Sequence, residues 1–238
     1  MIKNYIKSFA KKQGYIISKY DPKRDPAEIK KSFLVRNNIN VVLDVGANRG
    51  QFALQLRNSG YNAKIVSFEP LSSAFNRLQQ ASQSDRNWDV LQCALGNKVG
   101  SAEINVSGNS YSSSILTMKE AHAEAAPDSI YIDKEVITIN TLDSVYGKYV
   151  TKDDKVFLKI DTQGYTKNVL EGANLVIGDI LGVLVEMSLV ELYSGEPLIG
   201  EVTSMLYEKG FNLLCIEPEF VDKKSGRLLQ VNGLFGRD

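Results

Sequence analysis

Short apolar runs alternate with amphipathic stretches along most of this chain. Val41–Val45, Lys64–Phe68, Asp89–Leu95, Val156–Ile160 and Gly182–Glu186 read as strands. Gln51–Ser59, Leu71–Ala81, Lys167–Ala173 and Pro197–Lys209 read as helices, with Gly60 and Gly210 as stops and Pro197 in a first turn. Such alternation predicts a parallel sheet with helices on both faces. Phe211–Ile216 and Val231–Phe235 read as closing strands around a polar loop, Glu217–Leu229. The rhythm breaks in the middle. Ala102–Val106 and Glu135–Thr141 predict added strands, the serine-rich Ser107–Ser114 a loop, and Leu116–Ala126 a helix. A small β insert is therefore expected within an α/β fold.

Met1–Tyr20 carries Ile2, Ile6, Phe9 and Ala10 at helical spacing among Lys3, Lys7, Lys11 and Lys12. Two readings stand. The stripe packs on protein, either the domain or a second subunit of a homodimer, or it lies as a basic amphipathic helix on an anionic membrane face. The first is favoured, because so short a stripe binds a membrane only weakly by itself. Asp21-Pro22 and Asp25-Pro26 then punctuate the chain, and Ala27–Arg36 predicts a second helix. Residues 1–38 thus read as a helical extension and residues 39–238 as the main domain.

Of the 238 residues, 43% are hydrophobic and 24% charged, which excludes disorder, collagen and coiled coil. Lys+Arg and Asp+Glu are 28 each, a zero balance that argues against a dedicated nucleic-acid binder. The charge is uneven: residues 1–36 hold ten basic and three acidic residues, a net of +7 that the remainder cancels. Two cysteines, Cys93 and Cys215, exclude a disulfide framework or a four-cysteine zinc site and read as buried thiols. The longest apolar stretch, Leu175–Val185, is broken by Asp179 and is too short to span a bilayer. The Met1 start carries no signal-peptide pattern, so a cytoplasmic location is expected.

The densest chemical signal is Asp44-Val45-Gly46-Ala47-Asn48-Arg49-Gly50, which follows a buried strand and opens a helix. Such a loop lets a ligand approach backbone amides. A dinucleotide fingerprint would need glycine where Asn48 and Gln51 stand, and a phosphate-binding Walker loop would need Gly-Lys-Ser/Thr. The spacing D-x-G-x-[GN]-x-G is similar to the first motif of S-adenosylmethionine (SAM) dependent methyltransferases. Asp44, Gly46, Ala47, Asn48 and Gly50 are the expected cofactor loop. Glu69, 19 residues after Gly50 in Ser67-Phe68-Glu69-Pro70, ends the second strand, where a carboxylate accepts hydrogen bonds from ribose hydroxyls. Pro70 follows it. Gln92, Cys93 and Ala94, at the end of the third strand, are expected against the adenine.

Further motifs narrow the family. They are Leu158–Tyr165 (LKIDTQGY), Val169–Ala173 (VLEGA), Glu186–Leu189 (EMSL) and Leu192–Leu198 (LYSGEPL). With Asp44–Gly50, Phe68-Glu69-Pro70, the serine-rich loop and Thr141-Leu142-Asp143, this order strongly resembles the FkbM family of methyltransferases from about Val41 to Phe235. The resemblance implies a Rossmann-like class I methyltransferase fold, a mostly parallel sheet with an antiparallel last strand. It implies SAM as cofactor and methylation of oxygen on a small-molecule or glycan acceptor, such as a hydroxyl of a sugar or polyketide. The chain departs from the family at Gln163 and Thr166, where acids are frequent, and retains Asp161.

Asp161 should sit at the carboxyl end of the fourth sheet strand, where open α/β sheets place ligands. It is the first choice for orienting acceptor or cofactor. Lys159, two residues earlier, points to the same face and either polarises the acceptor oxygen or forms a structural ion pair with Asp161. Glu186, ending the fifth strand, is a second acceptor ligand or a turn cap. His122, the only histidine, is a candidate base, although its Ala/Glu-rich surroundings suggest a solvated position. Asp161 is expected to matter more than His122. No dense carboxylate cluster calls for a metal. Ser112, Ser113 and Ser114 suit an ordered lid, and Tyr111 and Tyr165 could face a sulfonium or simply pack. The expected function is a SAM-dependent O-methyltransferase acting on a saccharide or glycan hydroxyl. The alternatives are a non-catalytic SAM-binding protein and a nicotinamide-dependent oxidoreductase.

Overall fold

The computed structural model describes residues 2–237, and the side chains of residues 4–237. The Ile2 and Lys3 side chains of the N-terminal stripe therefore lie outside the described residues. Helix α1 (Ile2–Lys12) leads through a single 3-10 turn into α2 (Pro26–Arg36). Asp25 caps α2 by accepting from the Ala27 amide at 2.9 Å, and Pro26 occupies the first turn. The sheet units follow: β1 (Val41–Val45), α3 (Gln51–Asn58), β2 (Lys64–Phe68), α4 (Ser72–Ser82) and β3 (Trp88–Leu91). Next come β4 (Ala94–Leu95), β5 (Gly100–Ser107), α5 (Glu120–Ala125), β6 (Tyr131–Asn140) and α6 (Leu142–Val145). The chain closes with β7 (Val156–Ile160), α7 (Thr166–Glu171), β8 (Ile180–Ser188), α8 (Ile199–Glu208), β9 (Asn212–Val221) and β10 (Leu228–Gly236).

Seven strands form one sheet in the order β3-β2-β1-β7-β8-β10-β9. All neighbours are parallel except β10, which runs antiparallel to both β8 and β9. This is the expected class I methyltransferase fold. All five residues of β1 and all five of β7 are buried, as parallel strands covered on both faces must be. Helices α2, α3 and α4 cover one face through Phe33, Ala53, Leu56 and Leu78. The other face packs against Leu142, Val169, Leu170, Val202 and Leu206 from α6, α7 and α8. Phe33 of α2 packs against Phe157 of β7, ring centroids 6.0 Å apart and planes tilted by 56°, so α2 belongs to the core of the sheet. The expected β insert is the second sheet, β4-β6-β5.

Four expectations about elements are corrected. The strand expected over Asp89–Leu95 is two strands in two sheets. The chain turns at Gln92–Cys93, where the Cys93 amide donates to Leu91 O at 3.1 Å, and Cys93 goes inward while Gln92 faces out. The helix expected over Leu116–Ala126 keeps only α5, because Leu116 and Met118 extend against Tyr193. Pro197 lies before α8 rather than in its first turn, since the Glu196 carboxylate bends the chain by accepting from the Leu192 and Tyr193 amides. The polar loop expected over Glu217–Leu229 shrinks to a turn in which Asp222 accepts from the Lys224 amide at 2.9 Å; Glu217 and Glu219 are strand residues. Cys215 is only half-buried, on β9. Among the described residues no helix is long and apolar enough to cross a membrane.

Candidate active site

A cavity of about 610 Å³ opens at the carboxyl ends of the parallel strands. Its walls come from the β1–α3 loop, the end of β2, the turn into β4, the serine-rich loop, the β7–α7 loop, and residues of α2, β8, β9 and β10. Gly46, Ala47, Asn48, Glu69, Pro70, Cys93, Ala94, Lys159, Asp161 and Glu186 all line it.

The β1–α3 loop is shaped by two glycines. Gly46 has φ +74°, and a Cβ there would stand 1.8 Å from the Asp161 carbonyl oxygen, so only glycine lets the end of β1 pass the end of β7. Gly50, at φ +87°, is pressed against Trp88, which a Cβ would meet at 2.7 Å. Gly50 does not line the cavity; it sets the angle at which α3 leaves. The expectation of free loop amides also needs correction. Gly46 and Ala47 both donate to Phe68 O at 3.0 Å, Arg49 to Gln51 Oε1 at 3.0 Å and Gly50 to Ala47 O at 2.8 Å. Asn48 N donates to Glu69 Oε2 at 2.8 Å. The loop therefore shapes the cavity and holds Glu69 in place.

Glu69 is almost fully buried. Its other oxygen accepts from the Leu71 amide at 3.0 Å. Burial pushes its carboxyl up to about 7, against the opposing pull of the two amides and Lys159. Each oxygen keeps acceptor capacity toward the cavity. Two further polar atoms of the wall, Asn48 Oδ1 and Thr162 Oγ1, are buried without a partner. Buried polar atoms without partners are costly in a finished structure and mark places where a polar ligand completes the bonding.

Beneath this wall lies a chain of charges, buried at Asp44 and Lys159 and partly exposed at Asp161. Asp44 is fully buried and does not face the cavity. Its Oδ2 accepts from Ser67 Oγ at 3.2 Å, and Ser67 accepts from Trp88 Nε1 at 2.9 Å. Lys159 Nζ stands 3.2 Å from Asp44 and 3.4 Å from Asp161, and donates to Gly46 O at 2.9 Å. Burial disfavours the ammonium, but the two carboxylates outweigh that and hold it above the usual lysine range.

At the far end of the cavity the carboxylates outnumber their cations. Gln163 Nε2 donates to Asp161 Oδ1 and to Glu186 Oε2, both at 2.9 Å, while its Oε1 accepts from Tyr193 OH at 2.7 Å. The flipped amide would aim its carbonyl at two carboxylates, so these partners fix its orientation. Burial first, then Asp161 and Glu219, push Glu186 well above the usual carboxyl range; Lys159 and Gln163 oppose this. Glu219 is raised likewise, by burial, Asp161 and Glu217. Glu217, Glu219 and Asn232 line this end together with Lys30 of α2. Sequence reasoning missed all four. Among the described residues no group of three or more His, Cys, Asp or Glu is arranged to hold a metal ion.

The serine-rich loop ties the two ends together. Ser110 O accepts from Asn48 Nδ2 at 2.7 Å, and Ser114 Oγ donates to Gln163 O at 2.7 Å. Ser113 and Ser114 line the cavity beside Tyr111 and Tyr165; Ser112 instead offers its carbonyl to Tyr193.

Besides Asp44 and Gly50, two more expected site residues are not in the wall. Gln92 is exposed and donates to Ser72 Oγ at 2.9 Å, because the chain turns there. His122 is neither solvated nor in the cavity. It is buried between Tyr193 and Phe220, with ring centroids at 5.1 and 5.2 Å, and neither ring nitrogen has a partner. Burial pushes its pKa down to about 4.

Residues 44–213 match the profile of the Methyltransferase FkbM domain, well over half of the chain. The chain belongs to the FkbM methyltransferase family. A curated relative, methyltransferase sdnD of Sordaria araneosa, is 24% identical over 194 residues, 72% of this chain and 73% of that protein. Similar solved structures include the plantazolicin methyltransferase BamL, in complex with a triazolic desmethylPZN analog and SAH. Its TM-score is 0.49 and its identity 11%, over 89% of this chain and 84% of that one. Another is the precorrin-6y C5,15-methyltransferase of Geobacter metallireducens. That TM-score is 0.45 and the identity 11%, over 89% and 88% of the two chains. This FkbM protein is a SAM-dependent methyltransferase, and the size of the cavity, the placement of Glu69 and the two unpartnered oxygens fit SAM as its cofactor.

Proposed function

We propose that this FkbM protein methylates a hydroxyl oxygen of a saccharide or glycan, with the acceptor at the Asp161–Glu186 end of the cavity. The observation that carries this reading is the carboxylate pair held by one side-chain amide. Asp161 and Glu186 share Gln163 Nε2 in the same cavity that Glu69 lines. Carboxylates and amides recognise sugar hydroxyls by accepting and donating hydrogen bonds, and Glu217, Glu219 and Asn232 extend that lining.

In this reading Glu69 holds the ribose hydroxyls, and Asn48 Oδ1 and Thr162 Oγ1 accept polar hydrogens of the ligand. Bound SAM supplies an electrophilic methyl group on a sulfonium sulfur. The remaining work falls to the chain. An alcohol is a poor nucleophile at neutral pH, and a positioned base adds about 10²–10⁴ in rate. Glu186, whose carboxyl burial and Asp161 push upward, takes the hydroxyl proton, whereas Asp161 orients that hydroxyl. Gln163 keeps the two carboxylates apart in role and Lys159 anchors Asp161. Holding the reacting atoms in line can supply roughly 7–11 kcal/mol of the barrier.

The test is a methyl-transfer assay against a glycan panel, followed by pH–rate profiles. Glu186→Gln should remove the acidic limb of the profile and lower kcat by about 10²–10⁴, while Asp161→Asn lowers it by at least about tenfold and keeps the limb. Transfer to amines or carbon acids but to no hydroxyl would overturn the reading.

A further inference from the structure

The first twenty residues carry five lysines and no acid. Among residues 4–20 the structure leaves the apolar side chains other than Ala10 uncovered: Phe9 is 58% and Ile16 90% exposed, and Tyr5, Ile6, Tyr15 and Tyr20 are exposed as well. Of the apolar residues of α1 with described side chains, only Ala10 is buried. The expectation that this stripe packs on the chain's own domain is thus not met. Lys7 and Lys11 follow one flank of the stripe along α1, and Lys12 stands on the other.

We infer that residues 4–20 bind the surface of a bilayer rich in anionic lipid. Three features favour a membrane over a second copy of the chain. The apolar side chains are spread over α1 and over the irregular stretch from Tyr15 to Tyr20, which suits a fluid interface better than a groove of fixed shape. Tyrosines accompany the aliphatic residues, and their rings with polar tips settle at the headgroup level. The lysines have no carboxylate within the segment to satisfy them, so two copies of it would repel, whereas an anionic surface strengthens binding about fivefold for each lysine close to it. The segment leads through Asp21–Asp25 into α2, whose Ala27 and Lys30 line the cavity, so docking would bring the cavity toward the bilayer.

The experiment is co-sedimentation of the full chain with vesicles of phosphatidylcholine containing phosphatidylglycerol, and with vesicles of phosphatidylcholine alone. Binding at least about tenfold stronger to the anionic vesicles is expected, with release at about 0.5 M salt as charges are screened. Lys7→Glu/Lys11→Glu should lower binding by more than about tenfold, and Phe9→Ser/Ile16→Ser should lower it even at low salt. Calorimetric binding of S-adenosylhomocysteine, unchanged in both variants, certifies that they are folded. Equal binding to both vesicle types, no binding, or variants that sediment like wild type overturn the inference. So does a concentration-dependent dimer that the same substitutions abolish while no vesicle binds.

Discussion

The two ends of the cavity handle charge differently. At the Glu69 end each carboxylate has its own partner: Asp44 and Asp161 pair with Lys159, and Glu69 accepts from two backbone amides that oppose the rise burial imposes on it. At the proposed acceptor end Asp161, Glu186, Glu217 and Glu219 face Lys159, Lys30 and two amide side chains, Gln163 and Asn232, the latter donating to Glu219 at 2.7 Å, and Glu186 and Glu219 are pushed toward the protonated form. The first arrangement fixes a geometry. The second stores proton affinity where a proton must be taken up. On the proposed reading, holding and reacting are separated along one cavity, and Asp161 is where the two meet.

The largest effect is expected from removing Lys159, the cation that both ends share. Lys159→Met leaves Asp44 buried and unpaired, which should cost about 3–5 kcal/mol in denaturant unfolding. Adding Asp44→Asn should recover part of the loss. A single variant as stable as wild type would show that Lys159 does not anchor the site. Next in size is Gln163→Glu, which adds a third carboxylate between Asp161 and Glu186; turnover at pH 7 should fall by at least about tenfold and recover in part at lower pH. A flat response would mean that Gln163 does not separate the pair. The smallest effect belongs to His122. His122→Phe removes two unpartnered nitrogens and should change stability at pH 7 by no more than about 1 kcal/mol, with turnover unchanged. The pH dependence sharpens this. A histidine with a folded pKa near 4 and an ordinary value of 6.5 contributes stability that is full above about pH 6.5 and is lost as pH falls toward 4. The phenylalanine variant should lack that acid loss.

The cofactor end was legible because its chemistry is written in contiguous residues. Val41–Val45, Lys64–Phe68 and Val156–Ile160 are strands at the bounds that their apolar runs predict. The loop glycines and Glu69 stand at fixed offsets from them. The acceptor end was not, because its polar residues come from separate strands. Glu217 and Glu219 alternate with Ile216, Pro218 and Phe220, a period of two that marks a strand, but their charge reads as a loop. Asn232 and Lys30 reach the same space from β10 and α2. The burial of His122 depended on Tyr193 and Phe220, both more than seventy residues away, so a local Ala/Glu-rich context pointed the wrong way. Gln163 was noted as a departure from the family; its role emerged only once Asp161, Glu186 and Tyr193 met around it.

The division between the two ends is tested most directly by titration calorimetry with S-adenosylhomocysteine on wild type, Glu69→Ala and Glu186→Gln. Glu69→Ala should lose roughly 1.5–3 kcal/mol of affinity, the worth of hydrogen bonds to a charged group. Glu186→Gln should bind like wild type. Because burial holds Glu69 near 7, wild-type affinity should rise as pH increases from about 6 to 8 and ionises it, and that rise should vanish in Glu69→Ala. Equal losses in both variants, or unchanged affinity in a folded Glu69→Ala, would contradict the assignment of the cofactor to the Glu69 end.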